Sequence, residues 1–253
     1  MPHALAVTSS ILASQMRGWR GTAAYRPAKK QPALTLELYE YEPSPYCRLV
    51  REALTELDLD VMVYPCPRGG TRFRPKVQEM GGKQQYPYLV DPNTGVKMYE
   101  SAEIAAYLAK TYEGRLRIAR GPRRGGAIGM AVLATSLRRF RGYKARPSKA
   151  PAKPLELFSF ESSPYSRLVR ERLCELELPY LLHNTGKGRP SDMGPPGMRD
   201  KWFKGPKDTT RNRKILFERT GHVQVPYLID PNTGVEMYES ADIIAYLEKT
   251  YAV

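Results

Sequence analysis

The sequence predicts an α/β protein made of two tandem copies of one βαβ-α-ββα unit. Two internal alignments and one periodicity carry this expectation. Residues 36–59 align with 155–178 at 16 of 24 positions, and residues 84–112 align with 223–251 at 22 of 29. Within each copy, short runs with apolar alternation are followed by stretches where apolar residues recur at helical spacing. The offset between copies rises from 119 to 139, so the second copy carries a net insertion of 20 residues.

The elements follow in order. Leu34 to Tyr41 alternates as a half-buried strand does. Ser44 followed by Pro45 is the signature of an N-cap and a first-turn proline. Leu49, Val50, Ala53, Leu54 and Leu57 then form the core stripe of a helix. Asp60 to Cys66 reads as a strand, and Arg74 to Met80 as a short helix stopped by Gly81-Gly82. Tyr86 to Val90 and Val96 to Tyr99 flank Asp91-Pro92-Asn93-Thr94-Gly95, a hairpin turn. Ser101 is expected to cap a closing helix that runs to Tyr112.

The chain divides on this reading into a basic segment (1–33), a first domain (34–113), a basic linker (114–153) and a second domain (154–253). The stretch 184–214, rich in Gly, Pro, Lys and Arg and holding Trp202 and Phe203, is expected to be an extended and partly disordered surface loop.

The net charge of +14 is unevenly placed. Residues 1–36 and 114–155 hold 17 of the 40 basic residues and no carboxylate, which leaves 23 basic against 26 acidic residues elsewhere. The folded units are therefore not basic, which argues against DNA as a partner, while RNA or a membrane surface could be touched by the linker. Within that linker, Ala127 to Phe140 is either an interfacial helix or a plain spacer. No run of about 18 apolar residues exists to span a bilayer. The acid-free first 30 residues have the composition of an organellar transit peptide, the alternative being a basic arm that stays attached. Cys47, Cys66 and Cys174 are too few for a disulfide framework, so a reducing compartment is expected.

These motifs resemble a known family. Ser44-Pro45-Tyr46-Cys47 after a strand is similar to the Cys-Pro-Tyr-Cys site of glutaredoxins, and Tyr86-Pro87-Tyr88-Leu89 to the proline turn of thioredoxin folds. Glu100-Ser101 resembles the pair that opens the last helix of glutathione S-transferase N-terminal domains. The tandem arrangement, with Tyr64-Pro65-Cys66-Pro67-Arg68-Gly69-Gly70 and the Asp-Pro-Asn-Thr-Gly turn, resembles plant and algal plastid proteins carrying two such domains. The resemblance implies two tandem thioredoxin-like domains without the all-helical transferase C-terminal domain, glutathione as a bound substrate, and residence in the chloroplast, with mitochondrion or cytoplasm as alternatives.

The resemblance also assigns residues. The reactive cysteine of the family falls on Ser44, which either donates a hydrogen bond to a glutathione thiolate or is only an N-cap. Cys47 matches the resolving cysteine and is either reactive or a packed small hydrophobe. Tyr46 and Tyr86 would line the glutathione site. Pro87 and Pro226 are expected to be cis, so that the backbone of Tyr86 and Val225 meets the cysteinyl part of glutathione. Glu100 and Ser101, with Glu239 and Ser240, would receive its γ-glutamyl end. In the second copy Ser163 and Tyr165 occupy the motif, and Ser166 replaces the second thiol, which excludes dithiol chemistry there. No metal-ligand cluster, phosphate loop or hydrolase triad appears.

The function implied is that of a glutathione-binding protein, either a serine-type transferase or weak thiol-handling enzyme, or a non-catalytic scaffold of two degenerate domains with an unknown protein partner. A membrane- or RNA-associated factor acting through the linker is the third reading.

Overall fold

A computed structural model describes residues 3–116, 122–194, 201–202 and 205–253. Helix α1 (His3–Gln15) precedes the first copy. That copy consists of β1 (Leu36–Glu40), α2 (Pro45–Leu57), β2 (Val61–Pro65), α3 (Arg74–Gly81), β3 (Tyr88–Asp91), β4 (Val96–Met98) and α4 (Ser101–Thr111). Helix α5 (Pro122–Leu137) lies between the copies. The second copy repeats the order with β5 (Leu155–Ser159), α6 (Pro164–Glu175), β6 (Tyr180–Asn184), α7 (Arg211–Thr220), β7 (Tyr227–Asp230), β8 (Val235–Met237) and α8 (Ser240–Tyr251), plus a 3₁₀ turn at Pro190–Asp192.

The two copies share one sheet of eight strands in the order β4-β3-β1-β2-β6-β5-β7-β8. Within each copy the first two strands are parallel and the hairpin is antiparallel, as a βαβ-ββ unit requires. The join is an antiparallel pairing of β2 with β6, with Val61 opposite Leu182 and Val63 opposite Tyr180. Pairing these strands satisfies two edges that would otherwise present open backbone donors and acceptors.

Side-chain alternation sends successive residues to opposite faces. Leu36 and Leu38 join Val50, Leu54 and Ile104 on one face, in a cluster continuous with Leu157, Val169, Leu173 and Ile243 of the second copy. Tyr39 and Tyr88 point the other way and meet Phe73 and Val77 at α3. Each fully buried Leu or Val contributes about 1.5–3 kcal/mol by leaving water, and here both copies draw on one pool. The hairpin turn ties the closing helix down: the Asp91 carboxylate accepts from Tyr107 and Tyr112, and Asp230 accepts likewise from Tyr246 and Tyr251.

Residues 3–15 and 122–137, read from the sequence as part of a transit-like basic segment and of a basic linker with a possible short helix, form α1 and α5, and both helices pack on the two copies. Both turn buried small residues inward, Ala6, Ser10, Ala13 and Ser14 in α1 and Ala131, Ala134 and Thr135 in α5. They extend the duplication, because residues 16–21 (MRGWRG) and 137–142 (LRRFRG) adopt the same backbone. Gly18, Trp19 and Gly21 have positive φ, and so do Arg139, Phe140 and Gly142. Arg17 forms a paired contact with Glu52 and also donates to the Ala127 carbonyl, while Arg138 pairs with Glu171 and donates to the Ala6 carbonyl. Each helix seats on the other copy's motif loop: Ser14 Oγ donates to the Ser162 carbonyl and Thr135 Oγ1 to the Pro43 carbonyl.

Between the copies lies a buried ionic layer. Arg51 binds Glu40 and Glu161, and Arg170 binds Glu42 and Glu161. All five side chains are excluded from solvent. A buried charge is tolerated only when paired, so the layer holds the two copies in one register.

The 184–214 stretch also departs from a plain surface loop. Asn184 ends β6 and is buried, Asp192 pairs with Arg213 at 2.6 Å, and the stretch closes in the first turns of α7. Residues 195–200 and 203–204, including Phe203, lie outside the described residues, whereas Trp202 is exposed.

Candidate functional site

The first copy's motif loop forms as its residue types dictate. Ser44 is extended, and its hydroxyl accepts the Cys47 N–H at 3.2 Å, with Pro45 at the first helical position. This cap turns Tyr46 outward and Cys47 inward. Ser44 is only 1% exposed and Cys47 fully buried. Burial pushes the Cys47 thiol up to about 12, far from the thiolate range that a reactive cysteine needs. The Cys66 and Cys174 thiols are raised by burial as well. Nucleophilic chemistry at Cys47 thus lacks both access and ionisation.

Facing this loop, the Tyr86–Pro87 bond is cis. The β3 ladder begins only at Tyr88, opposite Tyr39, which leaves residue 86 ahead of the sheet at the rim of a cleft. The third wall is the start of α4. Here Glu100, not Ser101, holds the cap position, with φ 70° and ψ 107°, and Ser101 is the first helical residue. A non-glycine residue held in that region costs about 1–3 kcal/mol and is retained where a side chain must be aimed. Glu100 accepts from Gln85 Nε2 at 2.7 Å and meets Arg124 at 3.5 Å. Ser101 Oγ is buried and makes no hydrogen bond among the described residues.

These walls enclose a cleft of about 770 Å³, within the size range of small-molecule sites. Tyr46, Tyr86, Pro87, Glu100 and Ser101, all candidates from the sequence, line it. Ser44 lies behind Tyr41 and Tyr46 and is not among the lining residues. Sequence reasoning missed Tyr41, Arg68 and Arg74, and also Arg124, Ile128 and Tyr143 from the segment between the copies. Arg74 stacks over the Tyr86 ring at 5.0 Å and Arg68 over Tyr143 at 5.9 Å. With three arginines against one carboxylate, the cleft favours an anionic ligand. The Arg-Gly-Gly run at 68–70 was a signal for part of this wall; nothing local to 124–143 was.

The second copy keeps the backbone and engages the equivalent side chains differently. Val225–Pro226 is cis, and Glu239 repeats the strained cap with φ 65° and ψ 113°. Gln224 again donates to the glutamate, at 2.5 Å. Ser163 caps Ser166 N at 3.3 Å and is buried, while Tyr165 is exposed like Tyr46. Ser240, however, is hydrogen-bonded to His3 Nε2 at 3.0 Å. Helix α1 seats beside it through Ser10, whose hydroxyl donates to the Pro164 carbonyl at 2.9 Å. The cations matching Arg68 and Arg74 are engaged by the insertion: Lys187 donates to the Gly194 carbonyl at 3.0 Å and Arg213 pairs with Asp192. Phe160 and Thr22 stand where the first cleft has Tyr41 and Tyr143.

The chain is similar to known proteins. A model of the glutathione S-transferase N-terminal domain matches residues 38–116 and 157–253. A glutathione transferase from Bombyx mori is 29% identical over 32% of this chain and 38% of its own, with a TM-score of 0.29. A delta-class glutathione transferase from Nilaparvata lugens is 28% identical over 32% of this chain and 37% of its own, with a TM-score of 0.27. A trimeric glutathione transferase from Leishmania covers 87% of this chain and 68% of its own at 12% identity, with a TM-score of 0.28. This chain spans little more than a third of the first two transferases. No curated protein sequence matches it significantly. The domain match alone takes in both copies and most of the chain, and by it the chain belongs to the glutathione S-transferase N-terminal domain family.

Proposed function

We propose that this protein binds glutathione at one site, the cleft of the first copy, and that the second copy serves as a structural partner. The observation that carries this reading is the contrast between two equivalent serines. Ser101 Oγ is buried without a partner at the head of α4, whereas Ser240 Oγ is taken by His3. An unpaired buried hydroxyl beside a helix N-terminus is ready to donate to a ligand carboxylate. Glu100 would meet the ligand's ammonium group, and Arg68, Arg74 and Arg124 its remaining negative charge.

Dithiol reduction has no place in this reading, because Ser44 replaces the reactive thiol and Cys47 is buried. Serine-type transfer requires Ser44 to reach the cleft, and Ser44 is buried and absent from the cleft lining. Binding is therefore favoured over turnover. Plastid residence enters this proposal on the resemblance alone, because α1 packs against α6 and belongs to the fold, and residues 1–33 are then not a removable leader on this reading. Arg138 is withdrawn from any RNA contact by its burial against Glu171.

Titration calorimetry with glutathione tests the proposal. One site per chain is expected. A stoichiometry of two would restore the second cleft as a site, and absence of binding would leave the family fold without this ligand.

A further inference from the structure

Two surface stripes stand apart from the cleft. On α5 and its following turn, Met130, Leu133, Leu137 and Phe140 recur at i, i+3, i+7 and i+10 and point outward. On α1 and its turn, Leu5, Leu12 and Trp19, seven residues apart, are exposed as well, which makes seven exposed large apolar side chains. Leu133 and Phe140 are 50% and 52% exposed. The two helices pack against each other, so both stripes belong to one helix pair. They are not explained by burial in the fold, since the packed sides of the helices carry other residues, among them Ala6, Val7 and Ala13 in α1 and Ala131, Ala134 and Thr135 in α5. Seven large exposed apolar side chains on one helix pair are more than the scattered single ones that need no explanation.

The charge around it selects the partner. Neither helix carries an acidic residue, and no Asp or Glu occurs in residues 1–36 or 114–155. Arg123, Arg139 and Lys144 are exposed beside or beyond the α5 stripe. A second copy of the chain would bring two such cationic rims together, and a nucleic acid would gain nothing from the leucines. Neither helix is long and apolar enough to cross a bilayer. An apolar helix face bordered by arginines, with an aromatic side chain near its edge, suits the headgroup layer of an anionic membrane.

We propose that the α1–α5 face docks peripherally on anionic lipid, its leucines and Phe140 entering the interface and its arginines meeting the headgroups. This proposal is independent of glutathione binding, since neither Leu133 nor Phe140 lines the cleft.

Co-sedimentation of the full chain with vesicles of phosphatidylcholine and phosphatidylglycerol tests it, against vesicles of phosphatidylcholine alone. Binding to the anionic vesicles is expected, weakened by salt, and reduced about tenfold or more in the double variant Leu133→Asp, Phe140→Asp. Both sites are exposed, so circular dichroism should show the variant folded. The proposal is overturned by any of three results: no binding to anionic vesicles, binding that the folded variant retains, or a concentration-dependent dimer that the variant abolishes, which would make the face a self-association surface. Salt-sensitive RNA binding with no vesicle binding would overturn it as well.

Discussion

The imidazole Nε2 of His3 lies 3.0 Å from the Ser240 hydroxyl, so the chain's own first helix supplies the partner that Ser101 lacks. Two serines at equivalent positions are thereby unequal. Ser101→Ala should weaken glutathione binding about tenfold, the worth of one hydrogen bond to a charged group. Ser240→Ala should leave affinity and stoichiometry unchanged. Calorimetry on the two variants checks both halves.

Arg138 and Arg139 are neighbours in sequence with opposite environments. Arg138 is buried on Glu171, while Arg139 faces solvent. Arg138→Ala should cost about 3–5 kcal/mol in urea unfolding, because it strands a buried carboxylate. Arg139→Ala should stay within about 0.5 kcal/mol of the parent. Replacing the pair together, Arg138→Met with Glu171→Leu, should recover much of the loss.

His183 stands between Asp60 at 3.3 Å and Glu156 at 2.8 Å, and these carboxylates, opposing its burial, raise it to about 9. A pKa raised on folding stabilises fully below the unfolded value near 6.5 and loses that contribution as pH climbs through 9. The parent should therefore lose up to about 3 kcal/mol between those limits. His183→Gln should be less stable than the parent at pH 6 and show a flatter profile across the same window. Equal slopes for the two proteins would mean that the pair is not formed.

All three thiols are buried and held in the protonated form. A disulfide reagent at pH 8 should label no cysteine in the native protein and three after unfolding. Cys47→Ser should bind glutathione as the parent does. Rapid native labelling of Cys47 would instead reopen thiol chemistry at the motif.

Several parts of this arrangement were legible beforehand because they depend on near neighbours. Ser44-Pro45 caps a helix wherever it occurs, and Asp91 with Asn93 builds its own turn, with Asn93 N donating to Asp91 at 2.8 Å. Ser101 was misread as the cap because a serine before a helix ordinarily is one; the strained backbone of Glu100 displaced it by a residue. The relation of α1 to α5 was hidden because the identities, among them Ala6, Leu12, Ala13, Arg17, Arg20 and Gly21 recurring as Ala127, Leu133, Ala134, Arg138, Arg141 and Gly142, are scattered and mostly common small or apolar residues. Acid-free composition suggested a detached segment at both places. It could not reveal that Arg17 and Arg138 are neutralised by glutamates on distant helices.

By itself the sequence determined the repeated unit, its strand and helix order and the loss of the motif thiol, with the cis turns implied only by the resemblance; the caps and hairpin turns among these are settled by interactions within a few residues. The tertiary structure alone decided that the copies join through β2 and β6, that α1 and α5 each seat on the other copy's motif loop, and that Ser101 and Ser240 differ in their partners. Backbone pairing between strand edges carries no residue signature, and whether Ser240 is free depends on a histidine 237 residues away. Contacts of that range are set by packing, which no local pattern encodes.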